Sequence, residues 1–465
     1  MAKHVSLGTP RFEIEFKPSA QASAHAGQLA VRALLDQFGL WARVRQEPAL
    51  DVRLQSGKGY DPEVFVAQFI FCFTSGGVSF TDAERLDEDE ALKALLGTEQ
   101  FADQATLAEW LRQIGPEGWH ALRRLGRDFV QWALAQAQPA RYQHCGRTEC
   151  FFDDTQIEVS GHQFEGAKIN YEGNLALSWQ MFWVGPFLAD SLLGATSPTK
   201  ESPSSEAAGQ DVSACLPELL AQNQHLWEKE RSYLYTDSAS SAGKYLELIG
   251  AHFGAWSVSY NKWTGPLERQ AAQLPELVWS AEEKTRWQDG SQHVAQYGWL
   301  RYQPGGCQQG QLFAVVRHKR LEGELFWRYA FVVCHGQAKD PKLVFEHHRL
   351  KGDRERVLSE VLRDLDLHHP PCKDLSANRS FYALASLAYN VLQALKLLYL
   401  PAEEQPKRVR TLIRHLLLVP VEIKRHARQL KACLFVPAGW LAWWRGFLAE
   451  FLPQCRQLSA VVRSG

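Results

Sequence analysis

Residues 348–396, HRLKGDRERVLSEVLRDLDLHHPPCKDLSANRSFYALASLAYNVLQALK, set the frame in which the rest of the chain is read. The stretch begins basic, places Glu355 one turn into an amphipathic pattern and ends in an apolar-periodic run through Leu384, Leu387, Ala388 and Val391. Two helices are the natural expectation. On the first, His348, Lys351, Glu355 and Leu362 stand at offsets 0, 3, 7 and 14. They fall near one face, with the cations before the acid. A carboxylate flanked by phosphate-binding cations suits a metal site that handles phosphodiesters. An ordinary solvated helix face carries the same pattern, so the remainder of the chain has to decide.

Outward from this stretch, the length of 465 residues suffices for two or three domains with a sizeable core. With 45% hydrophobic and 22% charged residues the composition is that of a soluble globular protein. A net charge of -1 gives no global sign of a polyanionic partner. From Pro401 onward, however, eleven Lys/Arg face four Asp/Glu, a locally basic tail. The nine cysteines are scattered without a CxxC pair. Cys145 and Cys150, beside His144, lack the second pair that completes a zinc site and read as free thiols in a reducing, intracellular setting. The first residues lack the apolar core of a signal peptide. The weakly charged run Leu175–Ala189 is short and broken by Gly185-Pro186, so it reads as buried strands and a turn; no membrane partner is expected.

Residues 1–145 read as an all-α domain. Helical spacing covers 28–38, ending at Gly39, and 62–74; Thr81 or Asp82 is the expected cap of a third helix, Asp103 or Thr106 of a fourth, and 118–138 form a longer one. From Arg147 the pattern becomes strand-like, at 148–159 and 176–187, followed by a Ser/Pro/Glu-rich loop at 196–211 and a helix near 213–223. Strand 232–237, helix 242–252 and strand 255–260 predict a β-α-β unit. Residues 261–337 are aromatic and β-rich, with Trp263, Trp279, Trp287, Trp299 and Trp327 and strands near 311–318 and 325–334. The tail, 401–465, is expected to be a basic helical region.

Three carboxylates stand out by placement: Asp153 after Cys150-Phe151-Phe152, Asp237 closing Tyr233-Leu234-Tyr235, and Glu355 on the helix after the β-rich segment. Two acids on neighbouring strands and one on a packed helix can hold two hard divalent cations. Among 52 acidic residues, spacing alone does not single them out.

Their local contexts do. FFDDT followed by GHQFEGA (161–167), LYTDSASS, and HRLKGDRERVLSE followed by PPCKDLSANRSFYALASLAYN resemble, in order, the three motifs of the DDE transposases of bacterial insertion sequences, most nearly the IS-thirteen-eighty branch. AHAGQLAVRALLDQFGL and TSGGVSFTDAERLDEDEALKALLG resemble its N-terminal region. The resemblance implies an α/β fold: a ribonuclease-H-like mixed-sheet catalytic core (146–260 and 338–400), a β-rich insertion (261–337), an all-α N-terminal domain for DNA-end binding or dimerisation, and the helical tail. It implies Asp153, Asp237 and Glu355 as catalytic metal ligands for two Mg2+ or Mn2+ ions, with Asp154 the alternative to Asp153, since adjacent strand residues face opposite ways. His348, Arg349, Lys351 and Arg363 become DNA-phosphate candidates, as do Arg408, Arg410, Arg414, Lys424, Arg425 and Arg428 in the tail. The broader group carries Tyr, Arg, Glu and Lys where this chain has His348, Lys351, Glu355 and Leu362, a departure that bears on phosphate clamping and hairpin formation. The tryptophans of the insertion either pack as core or stack on a flipped base.

The implied activity is metal-dependent cleavage at element ends and strand transfer into target DNA. Its partners are double-stranded terminal repeats and target DNA, bound as a homodimer, in the bacterial cytoplasm at the nucleoid. Two other readings use the same residues: an inactive, transposase-derived DNA-binding protein, and a ribonuclease-H-like nuclease without strand transfer.

Overall fold

The run at the end of the opening stretch is predominantly apolar, its few polar residues Ser386, Asn390, Gln393 and Lys396 spaced three or four apart along one stripe of a helix. In the computed structural model that helix is the hub of the molecule. Residues 19–53, 59–161, 163–170, 172–194, 212–261, 264–286, 290–336, 340–426 and 429–454 are described, without the side chains of 212, 353–355, 425, 426, 429, 430 and 454. The helices used below are α1 (Gln28–Phe38), α2 (Pro62–Thr74), α3 (Gly115–Gln136), α4 (Gly243–His252), α5 (Pro341–Asp364), α6 (Leu375–Tyr399) and α7 (Leu441–Phe451). The strands are β1 (Arg147–Glu158), β2 (Leu175–Val184), β3 (Phe187–Leu193), β4 (Ser232–Thr236), β5 (Ala255–Ser259), β6 (Gln292–Tyr302), β7 (Gln311–Arg320), β8 (Arg328–His335), β9 (Val421–His426) and β10 (Gln429–Leu434).

Helix α6 is long and apolar enough to cross a membrane, yet 89% of its most apolar window is buried inside the protein. It packs on α2, α3 and β3, so the helical N-terminal region and the sheet share one hydrophobic core. Asn390 shows how a polar residue is tolerated there: its side chain accepts from the Leu188 backbone N–H at 2.9 Å and donates to the Leu188 carbonyl at 2.8 Å. The amide thus pairs an edge strand in place of a neighbouring backbone. Buried Arg123 of α3 makes a two-pronged pair with Asp190 of β3, both contacts 2.8 Å.

Several local expectations hold, and others shift by a few residues. α1 ends where Gly39 adopts φ 73°. Asp103 caps the helix Gln104–Gln113 by accepting from Thr106 N. The short helix Phe80–Arg85 starts earlier than expected: Ser79 is its cap, in a reciprocal box with Asp82. The helix over Glu90–Leu96 is an addition to those expected.

Among the described residues the large sheet has eleven strands. Its centre is the parallel trio β1-β4-β5, with antiparallel neighbours on both sides: β2 against β1, and β8, β7 and β6 in succession beyond β5. The β-rich segment therefore continues the central sheet through β8 and β5, Val332 opposite Ser259. Alternation along a strand reveals its two faces but not the edge it joins. Trp279 and Trp327 flank the Arg317 guanidinium at 4.4 and 4.6 Å, and Trp279 is buried. Trp299 is half-buried, and Trp263 and Trp287 lie outside the described residues.

The tail is helical in α7 but also contains a hairpin. β9 pairs with β10 on one side and with Ala22–Ser23 on the other, giving a separate three-stranded sheet. Val421 and Ile423 alternate with Glu422 and Lys424 and turn inward, a short strand pattern inside a tail expected to be helical.

Candidate active site

Strand alternation and register place the site. β1 and β4 run parallel with Phe151 opposite Tyr235 and Phe152 opposite Thr236. One step further brings Asp153 level with Asp237, and paired residues share a face. Thr236 stands opposite Val258 on β5, which brings Ser259 level with Asp237 in turn. Asp153, Asp237 and Ser259 thus form a row across the carboxyl ends of β4 and β5, the edge where α/β sheets present functional groups. Asp237 also caps the turn Ser238–Ser240, its Oδ1 accepting from Ala239 N at 2.9 Å.

Helix α5 lies over this face. Its start is fixed by Asp340, whose Oδ1 accepts from Lys342 N at 2.9 Å. Lys351 Nζ sits 3.6 Å from Asp153 Oδ2 and 6.0 Å from the Phe151 ring. His347 and His348 reach the same face one turn earlier, His347 to Tyr235 and His348 to Ser257 and Ser259. Further along, Glu360 accepts from Val409 N at 2.6 Å, and Asp364 takes a two-pronged contact from Arg408 at 2.8 and 3.1 Å. Glu355 stands four positions beyond Lys351 in α5; its side chain is outside the described residues.

The two adjacent acids alternate along β1, and both feel the charges of Asp237 and Lys351. Asp153 faces α5, with Asp237. Asp154 points the other way and accepts from Gln156 Nε2 at 2.9 Å. Burial pushes the Asp153 carboxyl up to about 7, Lys351 opposing and the charges of Asp237 and Asp154 adding to it. Asp154 is pushed up to about 6 by burial and by Asp237. Carboxylates so crowded and desolvated are short of positive charge, and an all-oxygen set of this kind is what hard divalent cations prefer.

The cation candidates meet different fates. His348 is buried, and both ring nitrogens are engaged, Nδ1 with Ser257 Oγ at 2.7 Å and Nε2 with Ser259 Oγ at 2.8 Å. Burial lowers its pKa to about 4, leaving it neutral, so the expectation of a phosphate contact there is withdrawn in favour of pinning α5 to β5. Leu362 is buried in the core. Arg349 and Arg363 are exposed, as are Arg410 and Arg414 in the tail. Arg408 is committed to Asp364, and Lys424 pairs with Glu422 at 2.9 Å. The side chains of Arg425 and Arg428 lie outside the described residues.

The sequence profile described as Transposase DDE domain group 1 matches residues 8–438, nearly the whole chain. The chain belongs to that family. Membership makes it a transposase-type enzyme, a class that binds DNA and generally uses divalent metal. Comparison with curated proteins returns no match. The motif residues of this transposase serve two ends. Asp153 and Asp237 meet on one face, while Asn390, from the last motif, braces β3. Sequence reasoning missed a further group beside the acids, His144, Glu149 and His347, whose ligand atoms lie within 4.8 Å of one another. The one sequence cue is His144, whose neighbours along the chain point to the cysteines instead.

Proposed function

We propose that this transposase cleaves DNA at the ends of its element and joins the freed 3′ ends to target DNA, on a ribonuclease-H-like core with Asp153, Asp237 and Glu355 as metal ligands. The observation that carries the reading is the register of β1 against β4, which sets Asp153 beside Asp237 on the face covered by α5. Glu355, one turn past Lys351 on that helix, is the third acid. Two Mg2+ or Mn2+ ions bound there supply activation of the attacking water or 3′-hydroxyl and stabilisation of the leaving oxygen.

The chain's own groups do the rest. Asp153 stands midway along β1 and Asp237 one residue past the end of β4, where the pairing of the two strands brings them level. Lys351 balances Asp153 and offers its ammonium to a phosphate oxygen once that carboxylate is otherwise satisfied. Arg349 and Arg363, exposed on the same helix, add phosphate contacts that carry no sequence information. End recognition belongs to the helical N-terminal region or the basic tail, and two chains pair two ends. The place of action is the bacterial cytoplasm, at the nucleoid.

A second reading, a DNA-binding relative without cleavage, is favoured by the buried Leu362, which removes the Lys position of the broader group, and by Lys351, which stands where that group has Arg. The deciding experiment is Mg2+- or Mn2+-dependent cleavage of a plasmid bearing the flanking element ends, with Glu355→Gln as control. Cleavage at the ends that vanishes in the variant while DNA binding persists supports the enzyme. Specific retardation of end DNA without cleavage supports the second reading, and nicking without regard to the ends points to a nuclease.

A further inference from the structure

His144 belongs to the two-residue strand Gln143–His144, which pairs with the start of β1, His144 opposite Arg147. The connection is only Cys145-Gly146, both with positive φ (49° and 73°), a tight hairpin that fixes where His144 stands. Glu149 follows on β1 and is buried. His347 comes from α5, half-buried, one turn before Lys351. Three segments of the chain, two of them about two hundred residues apart in sequence, thus converge on one spot.

The surroundings are those of an ordered ligand set. The Tyr235 hydroxyl donates to Glu149 Oε1 at 2.7 Å and shares a 2.7 Å hydrogen bond with His347 Nε2. The rings of His144 and His347 lie 5.6 Å apart and 28° from parallel, and Tyr233 packs against His347 at 4.4 Å. Partners that orient an imidazole and a carboxylate in this way are typical of the shell around a metal's ligands.

We propose that His144, Glu149 and His347 form a transition-metal site, zinc by preference, separate from the carboxylate centre and clamping α5 to β1. Two imidazoles and one carboxylate are a standard three-residue set for zinc, whereas the neighbouring acids offer only oxygen and suit magnesium or manganese. A tetrahedral ion needs its ligand atoms ~3.4 Å apart, so a cluster spread over at most 4.8 Å closes by side-chain rotation, most easily at exposed His144. Tyr235 then serves as outer-shell partner. The bound ion ties the strand that carries Asp153 to the helix that carries Lys351 and Glu355. It supports the geometry of the acids without touching DNA.

The test is a titration of the full-length protein with Zn2+ against a chromophoric chelator, in excess Mg2+, repeated with Co2+ as a spectroscopic probe. The expected result is one tightly held ion per chain with the visible spectrum of a low-coordinate Co2+ site. His144→Ala weakens it by about 100-fold or more, beyond the scale of losing an outer-shell partner. His144 is exposed, so this variant keeps the fold even if His347→Ala does not. The double variant Asp153→Asn/Asp237→Asn retains the ion. Loss of binding in the double variant but not in His144→Ala assigns the ion to the carboxylates and overturns the proposal. So does the absence of tight binding in the wild type, or binding indifferent to both changes. The outcome is independent of DNA cleavage, so the transposition reading and this one fail separately.

Discussion

Helix α5 crosses two polar clusters on β1 and β4, four residues apart along both the helix and β1, and they differ in kind. At Asp153 and Asp237 the donors are all carboxylate oxygen, crowded, desolvated and balanced by Lys351. At Glu149 and His347 one phenol, Tyr235, is shared between a single buried acid and an imidazole. The first is short of positive charge and pays in stability for a function that a cation completes. The second combines one carboxylate with imidazole nitrogen, knit together through the Tyr235 hydroxyl. One helix therefore carries an all-oxygen, electrostatically unfinished site beside a mixed nitrogen and oxygen one, and the difference comes from which residue sits on the covered face at each rung.

The largest expected effect is on the unfinished cluster. Asp237→Asn reduces end cleavage by at least ~10²-fold, the scale of losing one transition-state stabiliser, with DNA retention in gel-shift assays unchanged. Next is stability. Asp153 binds its proton with a pKa near 7 when folded and 3.8 when unfolded, so the folded state holds more protons between those values. Its destabilisation is therefore full above about pH 7 and gone below about pH 4. In metal-free protein, Asp153→Asn should raise stability by up to ~4 kcal/mol at pH 8 and far less at pH 4, measured by denaturant unfolding at both. Added Mg2+ should narrow the gap at pH 8; a gap independent of pH would show that the carboxylate is not strained.

The neutral, hydrogen-bonded contacts of the helix predict smaller changes. His348→Ala removes a ring that joins two serines and should cost ~1–3 kcal/mol, with no change in the salt dependence of DNA binding. Lys351→Ala removes the cation beside Asp153, so it should lower the melting temperature more at pH 8 than at pH 4, and reduce the slope of log K against log salt by about one. A salt slope altered by His348→Ala would restore it as a phosphate contact.

What the sequence could disclose was local. The apolar strand before Asp153, the closing position of Asp237, the stop at Gly39 and the apolar-periodic helix α6 each follow from neighbouring residues, and each is found in place. What it hid depends on distant pairing. Nothing near Glu149 announces that residue 347 will lie beside it, and His348 looked like an exposed cation until Ser257 and Ser259 enclosed it. That Asp153 comes level with Asp237 follows from the register of β1 with β4, which no single strand contains. Arg408 looked like one basic residue among many, and its partner Asp364 lies in another element. The third strand of the small sheet escaped because β9 takes it from Ala22–Ser23, near the other end of the chain.

That last pairing has a consequence for synthesis. Ala22–Ser23 finds its neighbour only when β9 has been made, and α2 finds α6 only some three hundred residues after its own completion. At ~5–20 residues per second, the early helices spend roughly a quarter of a minute to a minute outside the ribosome with their apolar faces uncovered. The nascent chain is exposed to chaperones and proteases for that interval. A message cut short before α6 yields a polypeptide that cannot bury its first half, so damaged copies of the gene would be cleared as protein rather than persist as dominant-negative fragments.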